Sequence, residues 1–158
     1  MSRAAALLAF TLLATACAGR PATPPTMLPA RPVSADEAEA VVQAALTFRG
    51  VPYRNGGTDP RSGFDCSGLV QFVYAQAGVA LPRETRYQYM TGRAIDRDDL
   101  EPGDLVFFRT VSDGASHVGI AVDRERFVHA PSSRGVVRVE RLEAVYWASR
   151  YLGARRLR

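Results

Sequence analysis

The 158-residue sequence predicts an α+β fold, with helices first and a run of hairpin-linked antiparallel strands second. Two observations lead there. In the first half, apolar residues recur at helical spacing and each run is closed by a glycine; past Gly103 they gather in short runs separated by polar turns. A third bounds the size: the roughly 125 residues from Ala35 onward suit one hydrophobic core.

The chain opens on a targeting pattern. Arg3 is the only charge in the first 19 residues, and the apolar run Ala4 to Ala14 is too short to span a bilayer but suits a signal peptide. Ala14-Thr15-Ala16-Cys17 resembles a bacterial lipobox, with Ala14 where leucine is commonest. Residues 1–16 are therefore expected to be a lipoprotein signal peptide and Cys17 the lipidated N-terminus; the rival is an ordinary secretory signal with Cys17 incidental. Ala18 is not aspartate, which by the same resemblance implies sorting to the outer membrane. Pro21, Pro24, Pro25, Pro29 and Pro32 then exclude helix and sheet, so residues 17–34 read as an extended tether before a domain at 35–158.

Within that domain Ser34 and Glu37 form a capping box, and Ala38, Val41, Val42, Ala45, Leu46 and Phe48 mark a helix face that Gly50 ends. A glycine-rich turn, Gly56 to Gly63, leads to Asp65-Cys66-Ser67-Gly68 and a helix running to Ala77. A short helix is expected over Glu84–Met90. Strands follow at Leu105–Arg109, His117–Asp123, Arg126–Ala130, Val136–Glu140 and Ser149–Arg156, with a short helix at Leu142–Trp147 before the last.

This layout puts Cys66 at the mouth of a helix, where unpaired backbone N–H groups and the macrodipole favour thiolate. The only two histidines, His117 and His129, lie 12 positions apart on two strand-like runs joined by the turn at Asp123 to Glu125. A hairpin there can set the imidazoles side by side, giving the parts of a thiol hydrolase: nucleophile, base and a group to orient the base. Singly, each reads as well as a buried cysteine or a satisfied sheet histidine. With Cys17 and Cys66 assigned to other roles, no disulfide is expected. The close-paired ligand spacing of zinc motifs is missing, so neither metal nor cofactor is expected. The formal charge of +4, carried on arginine without any lysine, fits a carboxylate-rich partner, and no basic run marks nucleic acid.

Phe64 to Val70, His117 to Ile120 and Val128 to Ala130 resemble the three signature blocks of the NlpC-type cell-wall cysteine endopeptidases, and Val51 to Gly57 and Leu100 to Phe108 fit the same family. Leu81 to Gln88, Tyr146-Trp147 and Arg150 to Arg156 are similar to its lipoprotein murein endopeptidases. The resemblance implies a papain-like arrangement in which Cys66 attacks, His117 is the base and His129 takes the orienting place that Asp or Asn fills elsewhere. It implies an oxyanion hole made by the Cys66 N–H and the Tyr53 O–H. Asp65 reads as a helix cap or a substrate contact, and Ser67 beside it as a further substrate contact. Arg83 and Arg86 read either as ligands for a substrate carboxylate or as a solvated face of the short helix.

The implied activity is hydrolysis of peptidoglycan, at the D-alanyl–diaminopimelate cross-link or, alternatively, between γ-D-glutamate and diaminopimelate within the stem. Thiol acyl transfer uses the same residues with another acceptor. A non-catalytic wall-binding lipoprotein would need a lost triad member. A monomer is expected, anchored to the membrane through Cys17 on the periplasmic face of the outer membrane.

Overall fold

The computed structural model describes residues 31–132 and 135–157. The predicted signal peptide, Cys17 and most of the tether lie outside them. The folded domain takes in the tether's end, because Val33 is buried and its N–H donates to the Leu157 carbonyl at 2.9 Å.

Helix α1, Ala35–Thr47, starts on the predicted capping box: Ser34 Oγ accepts from the Glu37 N–H, and Glu37 Oε2 accepts from the Ser34 N–H. Its Ala38, Val41, Val42 and Ala45 are buried. A two-residue hairpin, β1 (Thr58–Asp59) and β2 (Gly63–Phe64), precedes α2 (Cys66–Gln76). Then come α3 (Thr85–Tyr89), β3 (Arg93–Ile95), a 3-10 turn at Arg97–Asp99 and β4 (Leu105–Phe108). The chain closes with β5 (His117–Ala121), β6 (Arg126–His129), β7 (Arg138–Arg141), α4 (Val145–Ala148) and β8 (Tyr151–Arg156). The β1–β2 hairpin and β3 go beyond the sequence expectation. Val136, expected in a strand, instead bridges Pro52, and sheet pairing resumes at Arg138.

The main sheet has six strands in the order β3-β8-β4-β5-β6-β7, every neighbour antiparallel. Alternation splits it into two apolar layers. Leu105, Phe107, Val118, Ile120 and Val128 point to the side that α1 and α2 cover. Val106, Phe108, Ala121 and Phe127 point to the other side, closed by Leu142 and Trp147. The papain-like expectation of a cysteine helix packed on the sheet holds, with α2 lying along β5; the short α4 covers the opposite face.

One ion pair fastens β8 to the loop before β4. Arg156 donates from Nε to Asp104 Oδ1 at 2.8 Å and from Nη2 to Oδ2 at 2.7 Å, with Asp104 fully buried and Glu101 2.9 Å from Nη1. Asp104 Oδ2 also accepts the Glu101 N–H at 2.8 Å. Removing one member of a buried pair strands the other charge, at about 3–5 kcal/mol. Asp104→Ala is expected at the lower end of that range, because Glu101 remains, and the melting temperature should fall by roughly 10 °C. A melt within about 2 °C of wild type would show the pair to be dispensable.

Candidate active site

The first turn of α2 is held from outside the helix. Asp65 is the N-cap; its Oδ1 accepts the Gly68 N–H at 2.7 Å, and its Oδ2 accepts the Gly56 N–H at 2.9 Å from the preceding loop. The Gly57 carbonyl accepts the Asp65 N–H and presses on the helix so closely that a Cβ at Gly68 would lie 2.0 Å from its oxygen. Only glycine fits there, which gives Asp-Cys-Ser-Gly a packing reason for its last residue.

Arg83 completes the clamp. Its Nη1 donates to Asp65 Oδ1 at 3.0 Å and to Ser67 Oγ at 2.8 Å, and its Nη2 donates to Asp65 Oδ2. Gln88 of α3, fully buried, donates to the carbonyls of Ser67 and Pro82. Arg83 thus precedes α3 instead of lying on it, and its fork is bound to Asp65 and Ser67. Arg86 is on the surface, paired with Glu84 at 2.8 Å and lying over the Tyr87 ring. The contacts of Asp65 realise the cap.

A cleft of about 550 Å³ opens over this helix start, and Tyr53, Asp65, Cys66, Ser67, Arg83 and His117 all border it. Cys66 is half-buried, with its Sγ 3.7 Å from Thr85 Oγ1. Burial pushes the Cys66 thiol above its ordinary range, against the downward pull of the Thr85 hydroxyl and the backbone N–H groups of Val118 and Ser67. Burial thus opposes the preference for thiolate that the helix mouth confers. Tyr53 packs against the first core layer, and burial, followed by the nearby Cys66 and Asp65, raises its phenol.

The imidazoles come from the sheet. His117 opens β5 and His129 ends β6, with Ile120 opposite Val128 and Ala121 opposite Phe127. Both rings lie on the face away from α2, and His117 Nε2 is 2.8 Å from His129 Nδ1. Gly119 makes this possible: a Cβ there would come within 2.6 Å of the Phe127 ring and 3.2 Å of the His129 Cβ. Trp147 stacks on His117 with ring centres 5.3 Å apart and meets His129 edge-on at 4.9 Å. His117 is pushed down to about 3, first by burial and then by its neighbour His129; burial lowers His129 too, opposed by Glu140. Both imidazoles are therefore neutral at pH 7.

Thr85, Trp147 and Glu140 also belong to this neighbourhood, and sequence reasoning assigned none of them a role in the site. Trp147 is the chain's only tryptophan, a signal that was available; Glu140 is one acid among sixteen, with nothing local to mark it. Among the described residues, no group of three or more His, Cys, Asp or Glu is placed to hold a metal ion.

Comparison with known proteins matches this layout to one family. The NlpC/P60 family pattern covers residues 50–156, which include every site residue named above. The chain is 43% identical over 136 residues to the Gamma-DL-glutamyl hydrolase of Bacillus subtilis, covering 83% of this chain and 33% of that protein. It is 41% identical over 123 residues to the Murein DD-endopeptidase MepS/Murein LD-carboxypeptidase of Escherichia coli K12, covering 77% of this chain and 64% of that protein. It therefore spans between a third and two thirds of these relatives' length. A crystal structure of an NlpC/P60 family protein from Bacillus cereus superposes with a TM-score of 0.72 at 32% identity, covering 80% of this chain and 41% of that one. A helix-mouth cysteine, a histidine pair on adjacent antiparallel strands and a family pattern spanning both place the chain in the NlpC/P60 family.

Proposed function

We propose that this chain is a cysteine-type peptidoglycan endopeptidase with Cys66 as nucleophile, His117 as base and His129 as the orienting group. One observation carries the reading: Cys66 and His117 border one cleft, and the far nitrogen of His117 lies 2.8 Å from a second, fully buried imidazole.

With the thiol raised and His117 neutral, the resting pair is uncharged. The thiol proton passes to His117 as Sγ attacks the scissile carbonyl, forming the C–S bond. Negative charge moves to the carbonyl oxygen, to which the Cys66 N–H at the helix start and the Tyr53 O–H, both bordering this cleft, donate. Collapse expels the amine, which takes the proton from His117 and leaves a thioester. Water then attacks that thioester, giving its proton to His117, and Cys66 is regenerated. His129 accepts from His117 Nε2 throughout, fixing the ring and spreading the imidazolium charge. The Asp65–Arg83–Ser67 cluster forms one wall and shapes the substrate channel while holding the helix start.

The D-alanyl–diaminopimelate cross-link is the bond we assign, supported by similarity to MepS. The second reading, a γ-D-glutamyl bond of the stem, has its support in the similarity to the Bacillus subtilis hydrolase over 83% of the chain. Anchoring through Cys17 at the periplasmic face of the outer membrane, as a monomer, is part of the same proposal and rests on Ala14-Thr15-Ala16-Cys17. Digestion of purified cross-linked and uncross-linked muropeptides, with products weighed by mass spectrometry, separates the two bonds. Cross-linked dimers should fall to monomers, whereas cleavage of monomer stems alone would favour the second reading.

Cys66→Ser should lower turnover by about 10,000-fold or more with the fold intact. Activity within tenfold of wild type would remove Cys66 as nucleophile.

His129→Ala should lower kcat by about 10- to 1,000-fold with a smaller change in KM, and by less than Cys66→Ser, since nucleophile and base remain. His129→Asn should recover part of the loss, because an amide oxygen accepts the same proton, and His129→Lys should not. Wild-type kcat for all three would exclude His129 from the site.

Stability should depend on pH in a defined direction. Both histidines are held below the ordinary imidazole value of about 6.5, so below that pH the unfolded chain binds protons that the folded chain refuses. The melting temperature is thus expected to be highest at neutral pH and to fall toward the His117 value of about 3. Glu140, held to about 2, adds to the loss only below the ordinary carboxylate range. A flat melting temperature between pH 7 and 4.5 would contradict neutral burial of the pair.

A further inference from the structure

Behind the histidine pair lies a carboxylate that the mechanism above does not use. Glu140 sits on β7, across β6 from β5, and its Oε2 is 3.6 Å from His129 Nε2. That nitrogen is fully buried and has no hydrogen-bond partner within normal distance among the described residues. Glu140 is the acid that faces it. The carboxylate is itself held from two sides: the Trp147 indole N–H of α4 donates to Oε2, and Arg138 Nε lies 2.6 Å from Oε1. It also borders a second cleft of about 600 Å³, which His117 shares with the cleft over Cys66.

We propose that Glu140 is a positioning residue that sets the tautomers of both histidines. An ionised carboxylate only accepts, so it favours a proton on His129 Nε2 and repels a bare lone pair there. With that proton fixed, His129 Nδ1 becomes the acceptor of the 2.8 Å contact, and the donor is His117 Nε2–H. The proton of His117 being on Nε2, its Nδ1 keeps the lone pair that the base needs. The device is a relay of orientation rather than of protons: nothing moves through Glu140, yet its charge at one end selects the basic nitrogen at the other.

The surrounding charges agree. The His129 contact, the Trp147 N–H and Arg138 hold Glu140 down to about 2, so it stays ionised across the working range. Its charge in turn raises both imidazoles against their burial, favouring the imidazolium that forms during turnover. Arg138 works against this at His129, so the net effect is modest and the tautomer is the principal effect.

This inference deepens the proposed Cys–His–His site, and its test is readable without activity. The chain has only two histidines, so a two-bond ¹⁵N–¹H correlation spectrum of the labelled full-length protein contains two ring patterns. Wild type should show both rings neutral and protonated on Nε2. Glu140→Ala should convert His129 to a mixture or to the Nδ1–H form, with kcat on muropeptides lower by about 10- to 100-fold and KM within about threefold. Glu140→Gln, whose amide oxygen still accepts, should keep the Nε2–H pattern and recover most of the turnover. A wild-type spectrum with His129 protonated on Nδ1 would overturn the proposal. So would a Glu140→Ala protein whose ring patterns are unchanged, even with reduced activity, because Glu140 would then act only by packing on Trp147. If wild type shows the two Nε2–H patterns but leaves muropeptides intact, the substrate reading fails while the tautomer proposal stands.

Discussion

The carboxylate of Asp65 is the contact on which the rest of the site depends. It accepts two backbone N–H groups from two different segments, the hydroxyl of Ser67 and both arms of the Arg83 guanidinium. Burying a charge costs several kcal/mol unless its lone pairs are satisfied, and here every direction is occupied. The helix start, the Gly56 loop and the segment before α3 therefore cannot move independently. Cys66 inherits its position from that constraint.

The second half of the site obeys a different rule. Strand alternation sends Val118 and Ile120 toward α2 and leaves His117 on the opposite face, beside Trp147. Cys66 and His117 therefore border one cleft at the end of the sheet, where β5 begins. The fold divides the labour accordingly. In the proposed mechanism the helical side supplies the nucleophile and its backbone donors, and the far side supplies a buried aromatic and ionic nest for the imidazoles.

Much of this was legible from residue pattern. The capping box of α1, the helix at Cys66 and the strands carrying both histidines each rest on local signals, and the 12-residue spacing was enough to foresee paired rings. What escaped notice was non-local or too short. Two-residue strands such as Thr58–Asp59 have no periodicity to read, and β3 carries two exposed residues on a sheet edge. Arg83 read as a substrate ligand or as part of a solvated face, and its pairing with Asp65 escaped because that partner lies 18 positions away. The helix mouth at Cys66 is visible in sequence, whereas the burial that opposes its ionisation is not. Residues 1–30, on which the expected leader and Cys17 fall, lie outside the described structure.

Trp147 gives the site an optical property of its own. Its ring lies against both imidazoles and its N–H is bonded to Glu140, and no other indole in the chain contributes emission. A neutral imidazole leaves indole fluorescence largely alone, whereas an imidazolium quenches it by electron transfer. The protein thus carries an intrinsic fluorophore in contact with the two rings whose protonation matters most. Occupancy of the adjoining clefts and the charge state of the pair can be followed in the unlabelled chain by its own light.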